Sequence, residues 1–518
     1  MRFIILIISI IILITSCRED INTSTENNIL SFSVDTLLFD TIFTTVGSAT
    51  RHLKIYNTDN NDVMINNIFL KRGENSSFKL NIDGEASDFV QNTLLRGGDS
   101  LYIFAEVTID PNNANTPLIE TDSITFEYSN SIQHINLTAW GQNAYFHSGI
   151  PDYQQYEPQS NNLDSMLYCD FFDCSNPNFP QDLINDFFTY YSINQNQIWT
   201  NDKPHVIYGD VIIENGATLE IEKGASIHLH NNSWLVVSEG SSLHAIGDYG
   251  EDDLIWFQSD RSDSHSLTDY SNTPGQWGKI WIMPGSLNNK LEHVILKNGK
   301  VGVQIDGVND IDVLPETPIL NIKNSIIYNM SNIGLLAQGS NVYGENLQIS
   351  NCGQHLMLLN IGGSYEFKHS TFANFWPYSR QTPSLVLNNF YEDINGVIQN
   401  RDLINANFYN CIIDGNNDTE ILFSNSGKAI FNYVFDHCII KSDQDYLDDW
   451  MKNISEGSIR IDNNQSNNFE DISSVPFYLN ENSVAIDAGS SIIANEVPYD
   501  FNENSRLPNP DIGCVEKY

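Results

Sequence analysis

The stretch from 206 to 229, Val206-Ile207-Tyr208-Gly209-Asp210-Val211-Ile212-Ile213-Glu214-Asn215-Gly216-Ala217-Thr218-Leu219-Glu220-Ile221-Glu222-Lys223-Gly224-Ala225-Ser226-Ile227-His228-Leu229, decides the fold of this chain. Apolar runs of three or four residues, rich in Val and Ile, alternate with Gly-centred turns. Such runs are too short for helices and read as buried strands. The pattern continues through Ser233-Trp234-Leu235-Val236-Val237 and Gly240-Ser241-Ser242-Leu243-His244-Ala245-Ile246-Gly247, with no helical interlude.

A longer period follows. Asn298, Asn329, Asn351 and Asn374 each end an equivalent apolar strand, and Asn410-Cys411-Ile412-Ile413 and His437-Cys438-Ile439-Ile440 echo them. A repeat of about 22–23 residues marks a solenoid. Each coil adds short parallel strands, and Asn at equivalent turns can stack its amide coil on coil. Residues 205–445 make about ten coils, a rod ~50 Å long at ~4.8 Å per strand. The Leu-x-x-Leu-x-Leu frame of a leucine-rich repeat and the Trp-Asp mark of a propeller are missing.

Pro274-Gly275-Gln276-Trp277-Gly278-Lys279-Ile280-Trp281-Ile282 with Pro284-Gly285-Ser286, and the tail motifs Ala485-Ile486-Asp487-Ala488-Gly489, Tyr499-Asp500-Phe501-Asn502, Arg506 and Pro510-Asp511-Ile512-Gly513 with Glu516, resemble right-handed parallel β-helix proteins of the pectate-lyase-like superfamily. The resemblance covers about 198–518 and implies a right-handed β-helix over 198–445, with last coils and a C-terminal cap over 446–518. An open solenoid end needs a cap. Asp500, Arg506, Asp511 and Glu516 are the expected cap residues, Arg506 pairing with Asp511 or Glu516. Trp277 and Trp281 are expected in the core or at a coil entry.

Ahead of the solenoid, 30–145 reads as strands at sandwich spacing, among them Leu53 to Asn57, Val63 to Leu70, Ser100 to Val107, and a hairpin of Ser123 to Tyr128 with Ile132 to Leu137. It resembles the Ig-like domains at the start of many Bacteroidetes surface lipoproteins. Residues 146–197, with Pro151, Pro158, Pro177 and Pro180, read as a linker with one short helix over Gln181 to Tyr191. The expected fold is therefore all-β: an N-terminal Ig-like β-sandwich, then a right-handed parallel β-helix with a C-terminal cap.

The first residues give a location. Met1-Arg2, an apolar run from Phe3 to Ile14, and small residues before Cys17 form a signal peptide over 1–16. The run is too short to span a bilayer. Ile14-Thr15-Ser16-Cys17 resembles the bacterial lipobox, which implies lipidation of Cys17. Arg18-Glu19-Asp20 resembles the tag that exports Bacteroidetes lipoproteins to the outside of the outer membrane. Residues 17–29 are then lipidated Cys and tether.

The net charge is −41, from 66 acids and 25 bases. Phosphate backbones demand Lys and Arg, so nucleic acid is not an expected partner. Of seven cysteines, Cys169 and Cys174 could close a small loop. Cys352, Cys411 and Cys438 read as small buried residues. Asp35-Thr36-Leu37, Asp40-Thr41-Ile42, Asp122-Ser123-Ile124 and Asp164-Ser165-Met166 resemble the Bacteroidetes O-glycosylation tripeptide.

Chemistry is harder to find. No His-Glu-x-x-His, Gly-x-Ser-x-Gly, phosphate loop or Cys-x-x-Cys is present. No Asp-Asp pair recurs on successive repeat strands, as a β-helix hydrolase needs. Asp252-Asp253, and Asp260 and Asp263 with His265, read as turns. Arg380 and Arg401-Asp402 are the arginines that could serve an anionic sugar. Asp500-x-Asn502-x-Asn504 has Ca²⁺-loop spacing without the rest of an EF-hand and reads as a cap turn; no cofactor and no metal ligand set is expected, with Ca²⁺ left open as an ion for so acidic a chain. The aromatic patch Phe375-Trp376-Pro377-Tyr378-Ser379-Arg380 suits a sugar, with Trp376, Tyr378 and Arg380 as ligand-binding candidates. No residue is read as catalytic. The expectation is a lipid-anchored surface protein for non-catalytic binding or adhesion, with glycans as ligands. The alternatives are a divergent polysaccharide lyase or glycoside hydrolase, and a structural subunit of an envelope complex.

Overall fold

A computed structural model describes residues 30–44, 47–109, 118–128, 131–148, 190–261, 264–265, 268–307, 317–393, 395–443, 457–463 and 468–517. The chain divides into two compact units, 1–143 and 144–518. Cys17, the tether and the Cys169/Cys174 pair lie outside the described residues, as does the helix expected over Gln181 to Tyr191 except for Tyr190 and Tyr191, which lie in the strand Tyr190–Ile193 instead.

In the first unit, alternating apolar and polar residues make two five-stranded sheets. One orders Ser31–Phe32, Arg51–Tyr56, Ser100–Val107, Phe78–Ile82 and Glu85–Ala86; the other orders Thr36–Phe43, Ser131–Gln142, Leu118–Tyr128, Val63–Leu70 and Phe89–Leu95. The inward residues, Phe39, Phe78, Ile103 and Phe126 among them, form one core. Leu118–Tyr128 and Ser131–Gln142 pair antiparallel, so the expected hairpin is present.

The second unit is built on one 25-stranded, all-parallel sheet that winds through three faces. The first face includes Tyr190–Ile193, Asp210–Ile213, Leu235–Val237, Ile280–Ile282, Val301–Asp306, Leu385–Asn388 and Ile421–Ser424. The second includes Gln197–Trp199, Thr218–Ile221, Ser242–Ile246 and Asn289–Glu292. The third includes Tyr145–Ser148, His205–Tyr208, Ser226–Leu229, Ile255–Ser259, Val294–Lys297, Thr371–Asn374, Ile412–Gly415 and Ile439–Lys441. Inward side chains stack from coil to coil into one core. Phe367, Phe408 and Phe435 stack with centroids 5.4 and 4.7 Å apart. Each buried ring contributes about 1.5–3 kcal/mol.

The ladder begins earlier than the boundary at 198. Tyr145–Ser148, Tyr190–Ile193 and Gln197–Trp199 already pair in parallel with the next coil. The prolines that suggested a linker lie between these strands, in 149–189.

The turn residues form two columns, not one. Asn298, Asn329 and Asn351 have φ of 66°, 57° and 54°, and the Asn329 amide donates to the Asn298 side-chain oxygen at 2.8 Å. Asn374 instead sits in a strand and bonds the Cys352 backbone. The echoes at Asn410 and His437 belong to a second column with His293, Asn324, Asn346 and His369, all at φ of 44–53°. Asn and His tolerate this left-handed conformation better than most residues, and the column links its side chains: Asn346 to Asn324 at 2.8 Å, Asn410 to His369 at 2.8 Å.

The tail, 468–517, packs along the third face. Phe469, Phe477, Leu479, Ala485 and Ile512 cover Ala373, Ile412, Ile439 and Ile461. Phe501, Cys514 and Val515 cover Ile295 and Ile326. The Phe477 N–H donates to the Gln348 side chain at 2.8 Å, and that of Cys514 to the Thr371 hydroxyl at 3.1 Å. These contacts reach several coils of the rod's side. Arg506 pairs with Glu516, as one of the two sequence expectations has it, and donates to the Asn346 side chain at 2.7 Å and to the Cys514 carbonyl at 3.3 Å. Asp511 instead accepts the Asp487 and Lys517 N–H groups.

Candidate functional site

The residues expected to grip a sugar are not displayed together. Trp376 is 8% exposed. The Arg380 side chain is 2% exposed and spent on the buried Glu420, 2.5 Å away. Tyr378 stands open at 70%, its ring 5.7 Å from that of Trp376. Burying Arg380 requires an anionic partner, and Glu420 was too distant in sequence to be read as one. The patch expected as one open surface is thus largely internal.

The other candidates serve the fold. Arg401 donates to the Asn400 carbonyl and lies over the Tyr391 ring; Asp402 accepts the Ile430 N–H. Asp253 pairs with Lys223, and Asp260 with His230. The side chains of Asp263 and His265 lie outside those described. Asp500 accepts the N–H groups of Asn502, Asn504 and Glu516 at 2.7–2.8 Å, so donors, not a cation, surround its carboxylate. Among the described residues no three His, Cys, Asp or Glu side chains are grouped to hold a metal ion. Cys352, Cys411 and Cys438 are buried free thiols, as expected, and Cys514 is a fourth; burial pushes that of Cys352 up to about 12.

A different surface draws side chains together. On the first face the outward residues of successive rungs are Ile212, Val236, Trp281, Gln304, Leu336, Leu358, Val386 and Leu422, in register. Beside this apolar column runs a polar one: Asp306, Gln338 and Asn360, then Asn388 and Ser424. The Gln338 amide donates to Asp306 at 2.9 Å, and that of Asn388 to Ser424 at 3.1 Å. With rungs ~4.8 Å apart, the eight positions span ~34 Å; Ile212, Val236, Gln304 and Val386 are buried, Trp281, Leu336 and Leu358 half-buried, and Leu422 exposed.

The strip is richest near its start. The rings of Trp234 and Trp281 meet edge to face at 5.7 Å. The Lys279 ammonium lies 4.3 Å from one ring centroid and 4.5 Å from the other, and donates to the Gln304 side chain at 2.6 Å. Burial holds the Lys279 amine below the ordinary lysine value. The Trp281 indole N–H donates to Asp306 at 2.8 Å, and the Gln304 amide to the same carboxylate at 2.9 Å. Burial also pushes the nearby Asp210 up to about 6. The result is a half-buried aromatic clamp with a cation, a carboxylate and an amide fixed around it. Trp277, by contrast, is fully buried, as expected. Trp281 is not in the inner core: it is half-buried on the outward side of its strand, packed against Ile212, Val236 and Met283.

A cleft of about 550 Å³ lies between the tail and the solenoid, lined by Glu292, His293, Glu345, Glu496, Tyr499 and Glu503 among others. Two of its acids are paired, Glu345 with Lys323 and Glu496 with Lys368, each at 2.8 Å.

No protein-family model matches the chain, and no curated protein matches it. Among solved structures it is similar to the ASH / PapD-like domain of human CEP192 at 10% identity and a TM-score of 0.16, covering 25% of this chain and 94% of that one. It is similar to the E. coli chaperone DraB at 8% and 0.17, covering 23% and 58%. It is similar to a family 123 glycoside hydrolase from Clostridium perfringens at 9% and 0.15, covering 22% and 26%. The chain thus spans little more than half of DraB and about a quarter of the hydrolase. Likenesses this slight carry no functional argument.

Proposed function

We propose that this chain is a lipid-anchored protein on the outer face of a Bacteroidetes outer membrane, and that it binds glycans along the first face of its solenoid without cleaving them. The lipobox-like Ile14-Thr15-Ser16-Cys17 supports the anchor, since two or more acyl chains hold a protein stably to a bilayer. The solenoid strip supports the ligand. Sugar rings offer apolar C–H faces and hydroxyl edges; aromatic and aliphatic side chains take the former, amides and carboxylates the latter. A repeating polymer also matches a surface that repeats rung by rung. The observation that carries the reading is the Trp234–Lys279–Trp281 clamp at the head of that strip.

Affinity electrophoresis of the detergent-solubilised full chain through gels of neutral and acidic polysaccharides tests it. The reading expects retardation by at least one polymer, recovered at full length, and at least tenfold weaker binding by the Trp234→Ala/Trp281→Ala variant. No retardation by any polymer overturns it. Shortened polymer would establish the second reading, a divergent lyase or hydrolase. That reading is favoured by the lowered amine of Lys279, within the same clamp as the Asp306 carboxylate. Stable protein partners co-purifying in place of glycan binding would establish an envelope-complex subunit. For the anchor, Cys17→Ala should move the protein from the membrane to the soluble fraction.

A further inference from the structure

The first unit carries rings of its own on a solvent face. Ser100–Val107 is the central strand of its sheet. Alternate residues of that strand point out, and two of them are Tyr102 and Phe104, 41% and 39% exposed. Their rings are near-parallel, 16° apart in plane, with centroids 6.0 Å apart. On the neighbouring strand His52 stands opposite Phe104 and Lys54 opposite Tyr102. The His52 ring lies 5.8 Å from that of Tyr102 and 6.0 Å from that of Phe104. The Lys54 ammonium lies 4.6 Å from the Tyr102 centroid and 5.7 Å from that of Tyr56. Asn81 stands opposite Phe104 on the far side.

A single exposed ring is unremarkable; a contiguous row on the outer face of a sandwich leaves apolar area in water that a polar residue would not. The central strand is paired on both edges, so a peptide cannot add to it as a further strand. Charge narrows the occupant. Among the described residues Lys54 forms no ion pair, and its hydrogen bond with Tyr102 raises its pKa, so it stays charged. The nearby acids are Asp99, beside Lys54, and Glu106, which accepts from the Thr50 hydroxyl. In a chain with 66 acids and 25 bases, a cation left over exposed rings complements an anion.

We propose that the Tyr102–Phe104 strip is a second binding site, for a carboxylate-bearing glycan. Sugar faces stack on Tyr102 and Phe104, the carboxylate meets Lys54, and His52 and Asn81 take hydroxyls. The strip is independent of the solenoid site, and the test separates the two. Full chain carrying Trp234→Ala/Trp281→Ala is titrated with alginate and with carboxyl-reduced alginate, which keeps the rings and loses the charge. The proposal expects this protein still to bind alginate. Adding Lys54→Gln should weaken alginate at least tenfold and leave the carboxyl-reduced polymer unchanged. Adding Tyr102→Ala/Phe104→Ala should abolish both, with an unchanged melting temperature, since these side chains point to solvent. Equal alginate affinity with and without Lys54, or loss of all binding once Trp234 and Trp281 are replaced, overturns it. In the latter case the solenoid reading stands alone.

Discussion

The second and third faces of the solenoid share one inner pattern and differ completely outside. On the second face a single outward column reads Glu292, Lys323, Glu345, Lys368, rung over rung. Parallel in-register strands set equivalent side chains ~4.8 Å apart, so like charges would repel along the whole rod; alternating their sign turns that column attractive. On the third face the equivalent column reads Trp256, Ile295, Ile326, Gln348, Thr371, Ile412, Ile439. It is apolar where tail side chains cover it, and its two polar positions, Gln348 and Thr371, accept tail N–H groups. Outward residues thus record what lies over a face: on the second a partly exposed charged column that meets the tail at Lys368 and Glu496, on the third an apolar column the tail covers. The first face is intermediate, an apolar column beside a polar one, with Ile212, Val236 and Val386 buried and Leu422 exposed.

The largest way to break this comparison is to unfasten the tail. Arg506 is 1% exposed and is tied to Glu516, Asn346 and Cys514. Arg506→Met leaves Glu516 buried without its partner, which should cost about 3–5 kcal/mol. Chemical denaturation should show that loss, together with new binding of an apolar dye as Ile295 and Ile326 open to water.

A smaller effect sharpens the comparison at the other end of the third face. His147 stacks on Trp199 at 4.1 Å, and its Nε2 lies 2.9 Å from Nδ1 of His205. Burial, and then the charge of His205, pushes His147 down to about 3. Unfolded, it titrates near 6.5. The depressed value means stability is full above pH ~6.5 and falls, by up to ~1.4 kcal/mol per pH unit, as pH drops from there toward 3. The denaturation midpoint should fall between pH 7 and pH 5, and His147→Gln should flatten the dependence.

The smallest effect belongs to the open face. Lys323 pairs with Glu345 at 2.8 Å in partly exposed surroundings. Lys323→Gln should cost no more than about 1 kcal/mol, and less in high salt. Thermal melts at two salt concentrations check this.

Much of the fold was legible because strands and turns are local signals. Val211-Ile212-Ile213 and Asn215-Gly216 announce a rung and its turn without reference to anything distant. What lies over a rung is not local. The doublets Ile326-Ile327, Ile412-Ile413 and Ile439-Ile440 held the clue to the tail: two adjacent apolar residues in a strand mean both faces are buried. The same reasoning exposes why the candidate site was misplaced. Phe375 to Arg380 is dense in rings, and density was legible; that Glu420 neutralises Arg380 was not. The clamp joins Trp234, Lys279, Trp281 and Asp306 across 72 residues of sequence, brought together by register alone. The tail motif was legible as a motif, but its place along the third face and its tie to Asn346, 160 residues away, were not.

Hydroxyl-radical footprinting of the full chain, with and without a retarding polysaccharide, tests the central claim most directly. Oxidation of Trp234 and Trp281 should fall several-fold when the glycan is bound, while Trp277, already buried, stays unreactive and Tyr378 is unchanged. Equal oxidation of Trp234 and Trp281 in both states, with protection at Tyr378 instead, would contradict the account.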